Sequence, residues 1–271
     1  MGCGPVHFRA HPQTGGVSEM ILGTVLLEPN RWSDRDRPLL RWDWEWSERV
    51  ADGGFDGLEI WENHWFLGDT EARSALRGGP CPARIFNWYG CPGEQGEDSL
   101  LEAVSELSGS LIGVKFNIPR GDPSDCARRI VAAGHLQSRL PSGIRLLCEC
   151  HKGTLLETPE AARGIFQEWP PQTGAILHPF NEDSAVWLEV LGERIVHLHL
   201  QASERGEWMD PAPGVVPVDA GIRALTQSAF HGSATLEFVA GVATERDPAT
   251  LLESAKRVRS AWRNAGGFAW I

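Results

Sequence analysis

Short apolar runs alternate with amphipathic stretches about eight times from Met20 to the C-terminus, without a break in composition. The apolar runs have the length of buried strands, and the amphipathic stretches have the period of helices that cover a sheet. Crossover helices force neighbouring strands to run parallel, and eight such units favour closure into a barrel over an open sheet. We therefore predict an α/β fold, a single-domain (β/α)8 TIM barrel over residues 20–271, with residues 1–19 as a flexible leader.

The boundaries of the predicted strands follow from the apolar runs and from helix-start signals between them. Thr158 before Pro159, for example, is typical of an N-cap residue followed by a first-position proline. No glycine-rich phosphate loop follows the first strand, which weakens a dinucleotide-binding interpretation. The predicted strands are Met20–Leu27, Phe55–Trp61, Arg84–Trp88, Leu111–Ile118, Ile144–Cys150, Gly174–Pro179, Arg194–Leu200 and Ala234–Val239.

Composition excludes several classes of protein. Acidic residues outnumber basic ones by 36 to 25, and a formal charge of −11 opposes binding to duplex nucleic acid. No apolar run approaches the roughly 20 residues that span a bilayer, so we expect no membrane segment. The first residues lack the apolar core of a secretion signal, so we expect a cytoplasmic location. The six cysteines lack metal-binding spacing, and we interpret them as small buried apolar residues.

Ionisable residues gather where the predicted strands end, which is where barrels of this kind carry their chemistry. Carboxylates and imidazoles contributed by separate strands form a divalent-metal site by ligand type. His197 and His199 alternate with apolar residues and share one face of a strand; either alone would be typical of a satisfied core histidine. The residues at these strand ends are Glu59, Glu62, His64, Glu149, His151, His178, His197, His199 and Glu237.

Three segments resemble the xylose-isomerase-like barrels, a family of sugar isomerases, sugar epimerases and endonuclease IV. They are Leu146–Thr154 (LLCECHKGT), Arg194–Leu200 (RIVHLHL) and Ala234–Val239 (ATLEFV), and the resemblance extends from about Met20 to Trp262. In the ketose-epimerase branch, a Glu, an Asp, a His and a Glu from strands five to eight hold the metal. The resemblance therefore implies that Glu149, His199 and Glu237 are metal ligands.

This chain departs from the family pattern at three places. His178, in ILHPFN, stands where the family has its metal-binding aspartate, and Asn181 stands where the epimerases have a substrate histidine. Gln201-Ala202 replaces the usual Lys-Asp after the seventh-strand histidine. Because nitrogen replaces an oxygen ligand, we expect Mn, Zn, Co or Fe in preference to Mg. The expected metal set is Glu149, His178, His199 and Glu237.

The resemblance also implies roles in catalysis and substrate binding. Glu149 and Glu237 correspond to the carboxylates that move the proton in the epimerases, and Arg205 falls where those enzymes have a substrate-binding arginine. We expect further substrate contacts near these positions, and the expected substrate-binding residues are His151, Arg205, Asn181, Glu59, Trp61 and His64.

The sequence thus predicts a metal-dependent isomerase or epimerase of a sugar, sugar phosphate or related polyol, acting by proton transfer through a metal-stabilised enediolate. A dehydratase or lyase acting on a cyclic polyol or keto acid is the closest alternative. A repurposed, non-catalytic barrel is another, and an endonuclease-like phosphodiesterase is less favoured because of the acidic charge. The expected partner is a small carbohydrate-like molecule, with a homodimer possible and no nucleic acid or membrane.

Overall fold

The computed structural model describes residues 16–29, 39–180, 183–265 and 269–270, and most of its strands belong to one parallel sheet. Eight strands pair in chain order, and the sheet closes because the last strand also pairs with the first, with Met20 opposite Ala234. The predicted TIM barrel is confirmed. The barrel strands are β1 Gly16–Gly23, β2 Gly57–Trp61, β3 Ala83–Asn87, β4 Gly113–Phe116, β5 Arg145–Glu149, β6 Gly174–Leu177, β7 Ile195–Leu200 and β8 His231–Leu236.

Helices connect the strands, and five of them begin at a residue whose side chain accepts a hydrogen bond from a helix backbone N–H. Thr158 is one of these caps, as predicted, with Pro159 in the first turn. The helices are α1 Thr24–Leu27, α2 Trp44–Asp52, α3 Glu62–Phe66, α4 Thr70–Gly78, α5 Glu97–Leu107, α6 Pro123–Arg139, α7 Pro159–Glu168, α8 Ser184–Leu191, α9 Val216–Gln227 and α10 Pro248–Asn264.

Two short β-structures are added to the barrel. An antiparallel hairpin, Ala202–Glu204 with Glu207–Met209, follows β7, and Ala269–Trp270 adds a short strand beside β1. Among the described helices, none combines the length and apolar character needed to cross a membrane.

The boundaries of the first strand differ from the prediction. β1 begins at Gly16, so residues 16–19 belong to the barrel and not to the leader, while residues 1–15 lie outside the described residues. The strand ends at Gly23, and Thr24–Leu27 forms a short helix where the sequence predicted strand. Pairing with β8 across more than 200 residues fixes the early start, and no local pattern reveals that contact.

The barrel core has two layers. A continuous apolar layer lies between the sheet and the helices. Inside the barrel, four buried side chains form a small apolar cluster of their own: Ile21, Ile85, Leu147 and Ile176. The five described cysteines are buried and free, which agrees with their interpretation as core residues.

Candidate metal centre

The strands β2 to β8 each bring a polar side chain to the C-terminal half of the barrel lumen. The inner apolar cluster includes Ile85, Leu147 and Ile176. Side chains alternate between the two faces of a strand, so the residues two positions farther along the chain also point into the barrel. The polar residues are all buried and come in chain order from successive strands or the position just after them: Glu59, Asn87, Lys115, Glu149, His178, His199 and Glu237. The strand ends therefore form one polar chamber.

Glu149 contacts side chains from several strands of this chamber. Its Oε1 accepts hydrogen bonds from Nε2 of His178 at 2.8 Å and Nδ1 of His199 at 3.1 Å. Its Oε2 forms an ion pair with Nζ of Lys115 at 3.0 Å. One carboxylate thus joins side chains from β4, β7 and the end of β6.

Glu237 completes a group of four possible metal ligands. Its Oε2 is buried, lies 3.3 Å from Nδ1 of His199 and has no hydrogen-bond partner among the described residues. One ligand atom from each of Glu149, His178, His199 and Glu237 lies within 4.8 Å of the others. A buried carboxylate oxygen without a partner is costly, and a shared cation would satisfy it. Two carboxylates and two imidazoles are a donor set that suits a divalent transition-metal ion.

The pKa values in this group depend on opposing effects of burial and charge. Burial alone raises the pKa of Glu149, but the charge of Lys115 and the hydrogen bond from His178 outweigh it and hold that pKa well below its usual range. Burial lowers the pKa of His199, but the charges of Glu59 and Glu237 outweigh burial and raise it well above the usual value. The neighbouring carboxylates thus favour the protonated form of His199, and Lys115 supplies a further positive charge beside Glu149.

Glu59 lies on the other side of His199. Its Oε2 accepts hydrogen bonds from Nε2 of His199 at 3.0 Å and from Oγ1 of Thr235 at 2.9 Å, while Oε1 accepts from Nδ2 of Asn87 at 3.2 Å. The sequence predicts that Glu59 contacts substrate; in the structure both of its carboxylate oxygens accept hydrogen bonds from protein side chains. This arrangement fixes the orientation of the imidazole ring.

His197 is a buried member of the same network and not part of the four-residue group. Its ring nitrogens lie 2.7 Å from Oγ of Ser233 and 2.9 Å from Oγ1 of Thr235. Burial lowers the pKa of His197, which favours the neutral imidazole. Its hydrogen-bonding capacity is satisfied, as expected for a core histidine.

The amide of Gln201 lies against Nδ1 of His178. A glutamine amide can either donate or accept a hydrogen bond. Gln201 can therefore hold His178 with Nε2 directed toward Glu149 whether or not Nδ1 of His178 carries a proton. Gln201 occupies the position where the family resemblance leads one to expect lysine, and the structure makes it a support for a candidate ligand.

Two predicted substrate residues lie near the chamber. The His151 ring stacks on His178 with centroids 5.6 Å apart, its Nε2 lies 3.6 Å from Oε2 of Glu149, and 35% of its side chain is exposed. Trp61 is buried at the end of β2 and makes an edge contact with Tyr89 at the barrel mouth. His151 is therefore placed to meet a molecule entering from solvent.

Of the other predicted substrate residues, the structure describes the surroundings of His64 and Arg205. His64 faces Oγ1 of Thr24 at 3.1 Å and Oε2 of Glu28 at 3.4 Å, because the short helix α3 turns it toward the end of β1. Arg205 is exposed at the turn of the hairpin after β7, where its φ is 53°. Asn181 lies outside the described residues.

Sequence reasoning missed Lys115, Asn87 and Thr235, which complete the chamber. Lys115 had a detectable signal, because it is a charged residue flanked by valine and phenylalanine inside a predicted strand. The same reasoning that singled out Glu59 applies to it.

No family model matches the chain, and no curated protein matches it. Solved structures do. A 3-keto-D-glucoside 4-epimerase from E. coli is 15% identical with a TM-score of 0.59, and the match covers 89% of this chain and 99% of that one. A xylose isomerase-like TIM barrel protein from Mycobacterium smegmatis, solved in complex with magnesium, is 14% identical with a TM-score of 0.60, covering 92% and 97%.

A xylose isomerase-like TIM barrel/4-hydroxyphenylpyruvate dioxygenase fusion protein is 17% identical with a TM-score of 0.57. The match covers 94% of this chain, which spans 46% of the fusion protein. Likeness at these identities shows the fold. The chain has the fold of the xylose isomerase-like TIM barrels, as the motifs at strands five, seven and eight imply.

Proposed function

We propose that this protein is a divalent-metal-dependent isomerase or epimerase acting on a sugar, a sugar phosphate or a related polyol. The observation that carries the proposal is the pairing of Glu149 and Glu237 about one histidine: both carboxylates approach Nδ1 of His199, at 3.1 and 3.3 Å. They come from β5 and the end of β8, so they reach the chamber from different sides. Two carboxylates placed in this way can act on two faces of one bound molecule.

Glu149, His178, His199 and Glu237 would hold the ion. The orphaned Oε2 of Glu237 and the short distances among the four ligand atoms support this assignment. Two imidazoles in the set favour Zn²⁺, Co²⁺, Fe²⁺ or Mn²⁺ over Mg²⁺, which prefers oxygen ligands. The M. smegmatis neighbour was solved with magnesium, so the metal preference is a point on which this chain is expected to differ.

The bound ion would supply positive charge that stabilises the enediolate formed when a proton leaves the carbon next to a carbonyl. Glu149 is held in its ionised form beside Lys115 and can accept that proton. Glu237, on the other side of the chamber, can deliver a proton that it has taken up from solvent to the opposite face, and Glu149 then releases its proton to solvent.

The fold supports the isomerase or epimerase class, since neighbours with the same fold include a sugar epimerase. The mouth of the barrel also suits a carbohydrate. Trp208 of the hairpin packs on Phe238, directly after Glu237, with ring centroids 4.7 Å apart, and Trp61 meets Tyr89 at 6.1 Å. Aromatic faces at a polar mouth are suited to the apolar faces of sugars.

The test is isotope exchange in D₂O with metal-loaded protein and a panel of ketoses, aldoses, sugar phosphates and inositols. We expect solvent deuterium at the reacting carbon of a substrate, and we expect Glu149→Gln or Glu237→Gln to abolish its incorporation. Glu19→Gln is the matched control, because Glu19 pairs with Arg84 and lies in the N-terminal half of β1, away from the strand ends that form the chamber. Turnover without any deuterium incorporation, or exchange retained in both glutamine variants, would overturn the proposal.

A further inference from the structure

Lys115 is a buried cation beside the carboxylate that the proposed function assigns to proton transfer. It lies on β4, next to β5, and 5% of its side chain is exposed. Its Nζ lies 3.0 Å from Oε2 of Glu149, while Oε1 of the same carboxylate faces His178 and His199. Glu149 thus lies between the ammonium group and the two candidate histidine ligands, and it offers the ion a single oxygen.

The ammonium group has more donors than its protein partners use. A lysine ammonium carries three N–H donors, and within the described residues Lys115 makes one polar contact, with Glu149. Two donors of a nearly fully buried cation are therefore left for a bound molecule. Because the interior poorly tolerates an incompletely satisfied charge, these donors need strong acceptors.

The charges around Lys115 show which acceptor suits it. A bound divalent ion would balance the negative charges of Glu149 and Glu237. It would therefore weaken the electrostatic attraction between Glu149 and Lys115. The charge of Glu59 is engaged on the far side of the chamber by hydrogen bonds from His199, Thr235 and Asn87. Among the described residues, Glu149 is the one carboxylate within ion-pair distance of the Lys115 ammonium group, so an anionic oxygen of a bound molecule would meet its remaining donors.

The surroundings of Lys115 place this acceptor inside the barrel mouth. Tyr89, on the rim, is 47% exposed and lies within electrostatic range of the ammonium group. Asn117, two residues beyond Lys115 along the chain, has a buried Oδ1 without a hydrogen-bond partner among the described residues. Asn117 directly follows the last residue of β4 and is therefore closer than Lys115 to the mouth, which the C-terminal ends of the strands form. A hydroxyl of a bound molecule could satisfy Asn117 while an anionic oxygen meets Lys115.

We propose that Lys115 binds a carboxylate at the reacting end of the substrate, and that the substrate is therefore a sugar acid, a polyhydroxy acid or its keto form. This inference rests on the proposed function and names the substrate class of that same site. Since Lys115 touches the proton-transfer carboxylate, the anion must lie on or next to the reacting carbon. A carboxylate attached directly to the carbon chain meets this requirement, whereas a phosphate at the far end of a sugar does not.

The test is calorimetric titration of Mn²⁺-loaded protein with D-gluconate and with sorbitol, which has the same six-carbon skeleton with CH₂OH in place of the carboxylate. D-glucose 6-phosphate, whose charge lies at the other end of the chain, is the third ligand. We expect gluconate to bind at least tenfold more tightly than either of the others. Lys115→Met and Lys115→Gln should each abolish this preference, and circular dichroism melting will check that both variants fold.

Lys256→Met is the matched control, because Lys256 lies on α10 and pairs with the exposed Glu253. It should keep the preference for gluconate. Equal binding of gluconate and sorbitol to the wild-type protein overturns the inference without any variant. A preference kept in both Lys115 variants also overturns it, because the ion alone would then account for carboxylate binding.

The outcome can be separated from that of the proposed function. Deuterium exchange into a neutral sugar, without selective binding of gluconate, supports the proposed function and overturns the role of Lys115. Lysine-dependent binding of gluconate, with no exchange into any member of a panel extended to sugar acids, supports the role of Lys115 and overturns the proposed function.

Discussion

Oε2 of Glu59 lies 3.0 Å from Nε2 of His199, on the opposite side of the imidazole ring from Oε1 of Glu149. The two glutamates belong to β2 and β5, and together they fix the ring between them. Because Nε2 is engaged by Glu59, His199 presents Nδ1 to Glu149, Glu237 and any ion they share. A carboxylate that holds the far nitrogen of a ligating histidine sets the ring orientation and raises its basicity as a ligand.

Replacing Glu59 with glutamine tests this positioning role. Glu59→Gln should weaken divalent-metal binding by about 10- to 100-fold while the protein stays folded. Competition against a metal-sensitive dye will measure the affinity. Glu62→Gln, three residues along the chain, is the control, because Glu62 accepts a hydrogen bond from the backbone of Tyr89 at the rim. If the variant kept its metal affinity but bound substrate more weakly, Glu59 would contact the substrate directly, as the sequence predicts, and would not act by positioning His199.

The identity of His178 should decide which ion the centre prefers. His178→Asp replaces a nitrogen donor with oxygen and adds a negative charge, both of which favour harder ions. We expect the ratio of Zn²⁺ to Mg²⁺ affinity to fall by roughly tenfold or more. His231→Asp makes the same change on an exposed residue at the start of β8 and should leave the ratio unchanged. An unchanged ratio in His178→Asp would remove this residue from the metal set.

The strand-end pattern located the four candidate ligands because their positions depend on local sequence. Glu149, His178, His199 and Glu237 each end or follow an apolar run, and a parallel barrel brings such ends together whatever the details of packing. The relation between Glu59 and His199 was beyond prediction, since 140 residues separate them and only the closed barrel places them in contact.

His64 shows a second limit of the sequence pattern. It follows β2 within three residues, as a substrate-binding residue would, but the chain turns into α3 immediately after Trp61. That turn directs the ring toward Thr24 and Glu28 at the end of β1. A helix of five residues leaves no periodic signal in the sequence, so the direction of His64 could not be anticipated.

Arg205 stays a predicted substrate residue, and its position on the hairpin defines the test. The hairpin follows Gln201, and its Trp208 packs on Phe238 beside Glu237, so the exposed arginine stands near the mouth. We expect Arg205→Ala to raise the KM by about tenfold through loss of a charge-assisted hydrogen bond, with metal content and Tm unchanged. Arg163→Ala, an exposed arginine on α7, serves as the control. Kinetic constants equal to those of the wild type would make Arg205 an ordinary loop residue.

Glu28 gives a prediction for stability that is independent of the metal centre. Its carboxylate is buried at the end of α1 and accepts hydrogen bonds from the backbone N–H groups of Leu39 at 2.6 Å and Leu40 at 3.2 Å, with His64 on its other side. Burial raises the pKa of Glu28, but the hydrogen bond from His64 and those from the backbone outweigh it, and the pKa is lowered from its usual 4.5.

A carboxyl group whose pKa is lower in the folded state stabilises the protein above its unfolded pKa and loses that contribution as the pH falls through the folded pKa. At pH 7, Glu28→Gln should therefore reduce the free energy of unfolding by about 1–3 kcal/mol, the range for hydrogen bonds to a charged group. The difference in Tm between the wild type and the variant should shrink as the pH falls below about 4.5, where the unfolded carboxyl group is protonated. Thermal melts from pH 7 to pH 3 will follow it, with the exposed Glu71→Gln as the control. A difference that stays constant across this range would show that the ionised form of Glu28 adds nothing to the stability of the protein.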